Sequence, residues 1–460
     1  MLNNNTKQTI IMKKFLSMMA AVAMLFAFTA CSEEEEDDYR TYSVAVQLLT
    51  PDVADAPLEG VTVTARGVSG VALAAQTDEA GVATFALPED IYNFSASHKF
   101  NADGVVYVVN YVLQKSIASA DFVNANTMSL EMEPVVSQGG KQVILKELYV
   151  GGCPKDDGSG FYQYDKYVVI YNNSDQVATI PNFCISHVGP YNAHGNNQNY
   201  VDGKLFYAEE DYTPAYSFVF YMTKDLVLEP YTSATIALCG AIDHTMTYSN
   251  SVDLSEADYV CYDPEDFDNP NFHPVPSDKI DAENYMPASK LGQGNAAAWS
   301  VLCPGIFIFS TGDNDPLAYT QDKANSYYMG NNEKPTNACA KIPNQWIFDA
   351  VDIWTEENES ESLPRYSASI ESGHVGMTNK LGYSIYRNVD KEATEALAEN
   401  EGKLVYNYGL GTTTINGGIS TDLSGIDAEA SIANGAHIIY MDTNNSMNDF
   451  HQRKVASLKR

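Results

Sequence analysis

The chain has 460 residues, 60 of them Asp or Glu and only 27 Lys or Arg, so its net charge is −33. Nucleic acid is bound by Lys and Arg that displace its counterions, and anionic lipid attracts the same side chains, so this charge excludes nucleic acid as a partner and disfavours direct docking on a lipid surface. Thirty Tyr and many Asn, in short runs broken by turn residues, predict an all-β fold with polar, aromatic loops.

At the N-terminus, Lys13 and Lys14 precede the apolar stretch from Phe15 to Phe28, so residues 1–30 read as a secretory signal peptide with Met12 as the start. That stretch falls short of the roughly 20 apolar residues that cross a bilayer, and no later window supplies them. The junction Phe28-Thr29-Ala30-Cys31 resembles the lipobox of bacterial lipoproteins, which implies that Cys31 carries diacylglycerol and becomes the anchored N-terminus. Residues 31–41 then form a lipidated cysteine and an acidic tether, from Ser32 through Asp38. A block of like charges repels itself and stays extended. The same run resembles the export signal that follows the lipidated cysteine in surface lipoproteins of Bacteroidetes, which implies an outer-membrane anchor with the body facing the cell exterior.

The first folded module is predicted over residues 42–133. Tyr42 to Leu48 and Val61 to Ala65 alternate as strands, and Thr84-Phe85 follows the Asp78-Glu79-Ala80-Gly81 turn, in which Gly81 suits a positive φ. Leu87-Pro88 and the run Ile91 to Ala96 add another strand, with Val105 to Leu113 and Thr127 to Glu133 closing the set. This pattern resembles the seven-stranded prealbumin-like sandwich related to the regulatory domain of carboxypeptidases. The resemblance implies an accessory module and no peptidase activity.

Residues 134–141, with Pro134 and the pair Gly139-Gly140, read as a linker, and residues 142–460 as the second module. Val143 to Gly152, Tyr167 to Asp175 and Ala178 to Ile185 are three strand-like runs, and Leu228 to Leu238 a later one. Glu147, the Tyr171-Asn172-Asn173-Ser174-Asp175 turn and the following apolar edge resemble a lamin-tail-like immunoglobulin sandwich, here with loops much longer than that fold needs. Three further runs, Ala237 to His244, Asn344 to Asp352 and Met441 to Phe450, resemble an uncharacterised domain family of Bacteroidetes lipoproteins. Where relatives tend to carry a basic pair, the segment Tyr383 to Arg387 keeps only Arg387. The resemblance implies company with a TonB-dependent outer-membrane receptor.

Candidate chemistry is sparse. The acidic loop Asp263 to Asn269 offers oxygen ligands but lacks the EF-hand glycine and distal Glu, so it reads as a solvated loop before a calcium site. Lys155 to Gly160 reads as a hairpin loop. His187, His194, His244 and His273, with Met246 nearby, lie in Tyr- and Asn-rich loops without fixed ligand spacing, and read as hydrogen-bonding residues before metal or haem ligands. Cys153, Cys184, Cys239, Cys261, Cys303 and Cys339 are an even set, open to disulfides in an oxidising exterior or to burial as small hydrophobes. Asp442 to Ser446 reads as a turn after a strand over Ala436 to Met441. No nucleophile elbow, His-Glu-x-x-His or phosphate loop occurs, so no catalytic, cofactor or metal residue is assigned. The expectation is a non-catalytic surface lipoprotein that binds a small-molecule, glycan or peptide ligand, or assists a receptor in nutrient uptake. An adhesive surface module and a hydrolase with a site assembled from loops are the alternatives.

Overall fold

Alternation decides the N-terminal module. A computed structural model describes residues 40–51, 53, 56–102, 105–123, 126–138, 141–412 and 421–459, and the signal peptide, Cys31 and most of the acidic tether lie outside these. The first eight strands are β1 (Tyr42–Leu48), β2 (Thr62–Gly67), β3 (Ala72–Gln76), β4 (Val82–Leu87), β5 (Asp90–Ala102), β6 (Val105–Ile117), β7 (Thr127–Met132) and β8 (Pro134–Gln138). They make a three-stranded sheet, β4-β1-β7, and a five-stranded one, β3-β2-β5-β6-β8. Every second residue of β1 is buried, Val44 and Val46 fully, and packs with Val63, Phe85, Phe94 and Tyr111 between the sheets. Each such side chain contributes roughly 1.5–3 kcal/mol on burial. Gly81 has a φ of 77°, and Asp78 Oδ1 accepts from the amides of Ala80 and Val82, which fixes the β3–β4 turn.

One boundary differs from the sequence reading. Residues 134–138, taken as the start of a linker, are strand β8, antiparallel to Tyr107–Tyr111 of β6. Pro134 is tolerated because it opens an edge strand, and Val135 and Val136 bring β-branched side chains that suit pairing.

In the second module, β9 (Val143–Tyr149) and β12 (Tyr167–Asn172) form the centre of a seven-stranded sheet, with β10 (Cys153–Pro154) and β11 (Phe161–Tyr162) a short hairpin between them. In spatial order that sheet runs Tyr285–Met286, Tyr259–Cys261, Ser233–Ala237, β12, β9, Ser384–Arg387, Phe450–Arg453. The facing sheet runs Ser326–Tyr328, Ala338–Pro343, Tyr212–Tyr221, Phe183–Val188, Gly305–Ser310, Ile347–Thr355, Val375–Met377. Leu145, Leu148, Val168, Ile170, Ile185, Phe220, Ile308 and Ile353 fill the space between them.

All seven residues of β9 and all six of β12 are buried, because the outer face of their sheet is covered too. Ile144 and Tyr171 pack under Val389, Ile426, Ile438 and Tyr440, whereas Tyr149 and Tyr167 pack under Val252 and Leu254. The long insertions are therefore a second layer of core, and a strand buried on both faces reads as a continuous apolar run. The stretch Ala436 to Met441, predicted as a strand, is extended backbone with one isolated bridge, Val389 to Tyr440. Two backbone bonds flank that bridge, from Asp390 N to the Ile439 carbonyl and from Met441 N to that of Asn388, and they do not extend into a ladder.

Candidate functional site

Sequence-predicted residues are dispersed. Asp263 spends both carboxylate oxygens on backbone: Oδ1 accepts from Glu265 and Asp266, Oδ2 from Ala288, so it organises the acidic loop. His187 lies in the core 4.6 Å from the Phe218 ring, and burial lowers it to about 3. His273 accepts from the Ala297 amide and is lowered to about 4, again by burial. His194 Nδ1 sits 3.3 Å from Cys303 Sγ. The six cysteines from Cys153 onward are buried free thiols, which gives them the small-hydrophobe role. Among the described residues no three His, Cys, Asp or Glu side chains gather as a metal site.

His244 takes part in a surface feature. The hairpin β10–β11, its continuation Gln163-Tyr164, the turn around His244 and the loop Pro270–Pro274 enclose a cup of 360 Å³. Gly158 and Gly160, at φ 70° and 138°, let the hairpin reverse, as its sequence predicts. Asp156 then accepts from the Ser249 amide at 3.0 Å, which ties the hairpin loop to the opposite wall. Asp243 caps the turn that carries His244 by accepting from the Thr245 amide.

His244 Nε2 lies 2.7 Å from the Gly240 carbonyl and Nδ1 lies 2.8 Å from Tyr162 Oη. A carbonyl only accepts, so Nε2 carries the proton; burial keeps the ring neutral, and Nδ1 accepts from the Tyr162 hydroxyl. Gly240 is required there, since a Cβ would stand 2.8 Å from Pro274 Cγ. Tyr162 is thereby fixed with its ring 4.9 Å from Tyr248 and 5.4 Å, edge-on, from Tyr164, which itself meets Phe272 edge-on at 4.8 Å.

Lys155 Nζ stands 5.8 Å over the Tyr248 ring and is the one charged group among the described residues of the lining, with Gln163 and Asn271 supplying amides. In a chain of net charge −33, a wall of tyrosine faces, prolines and amides without a carboxylate is a local exception. Such a surface can stack against a ligand and hydrogen-bond its edges. The sequence signal was only aromatic density, because Tyr162, Tyr248 and Asn271 are far apart in the chain.

Away from the cup the module is held by buried charge. Arg387 is fully buried: Nε donates to the Leu145 carbonyl at 2.6 Å, Nη1 to that of Met441 at 2.7 Å, and Nη2 to Asp349. Asp449 and Asp442 stand 3.6 and 3.8 Å from Nη1. The closing run Asp442 to Phe450 is thus a buried fastener; the turn expected over Asp442 to Ser446 is present, with Asn444 at φ 52°, and leads into a short helix over Ser446–Asp449. Its outer side meets the N-terminal module: Asn110 Nδ2 donates to Thr443 O, Arg66 Nη1 to Met447 O at 3.0 Å, and Ser95 Oγ to Asn448 Oδ1 at 3.3 Å.

The family model DUF4876, described as a protein of unknown function, matches residues 229–407. This stretch carries the DUF4876 signature. It includes the cup's His244 turn and Pro270–Pro274 loop, the Asn344 to Asp352 run and Arg387. The fold agrees with the crystal structure of a DUF4876 family protein from Bacteroides thetaiotaomicron, at a TM-score of 0.50 and 18% identity over 91% of this chain and 97% of that one. The match over residues 229–407 agrees with the uncharacterised family expected from the sequence, and the Bacteroides relative with its expected Bacteroidetes context. The major pilin subunit BcpA of Bacillus cereus aligns at a TM-score of only 0.15 and 10% identity, over 68% of this chain and 94% of that one, too low to bear on the fold. No curated protein matches the DUF4876-like chain.

Proposed function

We propose that this protein is a non-catalytic lipoprotein, anchored through Cys31 at the outer membrane and facing outward, which captures a polyhydroxylated ligand such as an oligosaccharide in the Tyr162–Tyr164–Tyr248 cup. The carboxylate-free aromatic lining is the observation that carries the reading. Ring faces pack on the C–H face of a sugar while Gln163 and Asn271 meet its hydroxyls, and His244 holds Tyr162 so that little side-chain freedom is lost on binding. Handing the ligand to a TonB-dependent receptor is the role that fits a tethered, strongly anionic body, and it is supported by the lipobox-like junction at Cys31.

The test is calorimetric titration of the mature chain with neutral oligosaccharides. Tyr248→Ala is expected to weaken binding by about tenfold or more, the size of one lost stacking contact of ~1.4 kcal/mol. If no oligosaccharide binds, or if the alanine variant binds as the parent does, the cup is not a sugar site. Pull-down from outer membranes with the lipidated chain addresses the receptor separately.

A further inference from the structure

The seam between the two modules opens at one end into a second cleft, of 510 Å³, with walls of different kinds. One wall is the outer face of the five-stranded sheet, where Ile91 and Asn93 on β5 lie beside Val112 and Gln114 on β6, with Asn93 in register opposite Gln114. Ile91 is 44% exposed and Val112 40%, and Leu363 across the cleft is 39% exposed. Branched aliphatics left in water around one concavity mark a surface that is covered by something.

The other wall carries Trp354 stacked on His374 at 3.7 Å, and two carboxylates, Glu356 and Glu359, the latter 3.1 Å from His374 Nε2. Among the described residues no Lys or Arg lines the cleft. The sheet is also unfinished here: β8 pairs with β6 only over Tyr107–Tyr111, and beyond that point no described strand pairs that side of β6.

We infer that this cleft binds an extended peptide segment in which aliphatic and basic side chains alternate. The i, i+2 spacing of Ile91 with Asn93 and of Val112 with Gln114 repeats at the period of a strand, so alternate side chains of an extended guest meet apolar and amide positions in turn. The glutamates select positive charge, and the open edge of β6 offers backbone hydrogen bonds. What separates this cleft from the cup is its pair of carboxylates beside exposed aliphatics, where the cup offers tyrosine faces and a lysine.

The experiment uses the mature full-length chain, capped Lys-Val-Lys-Val-Lys peptide as probe, and calorimetry with Trp fluorescence at physiological salt. This peptide is expected to bind about tenfold or more tightly than Lys-Ser-Lys-Ser-Lys or Glu-Val-Glu-Val-Glu. The double substitution Glu356→Gln with Glu359→Gln, and separately the exposed Val112→Ser, should each weaken it about tenfold, while Tyr248→Ala in the cup leaves it unchanged. Equal binding of the valine and serine peptides would reduce the effect to bulk charge and overturn the inference. So would indifference to both cleft variants, checked to be folded by their thermal transitions, or displacement of the peptide by neutral oligosaccharide. Failure of the sugar titration leaves this result unaffected, since the two sites share no lining residue.

Discussion

Two fully buried arginines solve the same problem with different charge balances. Arg365 faces one carboxylate: Nη2 donates to Asp352 Oδ1 at 2.5 Å, its own amide meets Oδ2 at 3.2 Å, and Nη1 reaches the Pro190 carbonyl. The pair is neutral and joins a loop to the strand Ile347–Thr355. Arg387 instead faces three carboxylates, Asp349, Asp442 and Asp449, so its neighbourhood holds surplus negative charge in a place water does not reach. Burial raises Asp349 to about 7 and also raises Asp449, each against the pull of the guanidinium. A one-to-one pair is a static joint, whereas a three-to-one cluster holds a proton in the middle of the pH scale.

Removing each arginine tests the difference most directly. Arg387→Met strands three carboxylates and is expected to cost up to about 5 kcal/mol in urea unfolding, against about 3 kcal/mol for Arg365→Met, which strands one. Equal losses would mean that the extra aspartates are neutral or solvated and the contrast is empty.

The next effect is in pH. An unfolded Asp titrates near 3.9, so the folded state binds the extra proton over the window from about 4 to 7. A raised carboxyl therefore contributes stability that is fully present below about 4 and is lost as the pH rises toward 7, the reverse of an ordinary salt-bridged Asp. Asp349→Asn removes this titration while keeping an oxygen for the Leu145 amide, which donates to Oδ2 at 2.6 Å. The difference in stability between parent and variant should shift in the variant's favour by about 1–3 kcal/mol between pH 4.5 and 7.5. A pH-independent difference would show that the arginine holds Asp349 ionised throughout.

Asp442, the most distant of the three, should matter least. Asp442→Asn relieves repulsion at the cost of a 3.8 Å ion pair, and a change within about 1 kcal/mol of zero is expected in the same unfolding measurement. A loss of several kcal/mol would make Asp442 an equal partner in the cluster.

How far the sequence foretold these features depends on the range of the interactions. β1, the Gly81 turn, the β10–β11 hairpin and the apolar runs of β9 and β12 were legible because alternation, turn residues and continuous hydrophobicity are local. β8 was hidden by Pro134 and the neighbouring Gly-Gly pair, which signal a linker unless one knows that β6 has a free edge to fill. The extended stretch 436–441 has strand composition, but whether it pairs is decided by its partner, and Val389 supplies a single bridge. Arg387 was noticed for the basic neighbour it lacks. That it is buried with three aspartates follows from three segments meeting in space, as the cup does. Glu147 is similar: a recurrent acidic residue in a strand proves to accept from Ser384 Oγ at 2.6 Å and from the amide of Ser457 at 3.0 Å, fixing the segment around Ser457 to the first central strand.

The bonds from Asn110, Arg66 and Ser95 to residues 443–448 span more than 330 positions of chain. A ribosome delivers the N-terminal sheet long before the segment it rests on exists. The first module can close its own core on arrival, but its outer face with Val108, Asn110 and Ser95 stays wet until residues 443–448 emerge. Assembly is therefore ordered by the direction of synthesis, and a chain cut after Tyr440 would lose its seam together with the strand Phe450–Arg453, which bares the outer face of the first module and the edge of the strand Ser384–Arg387.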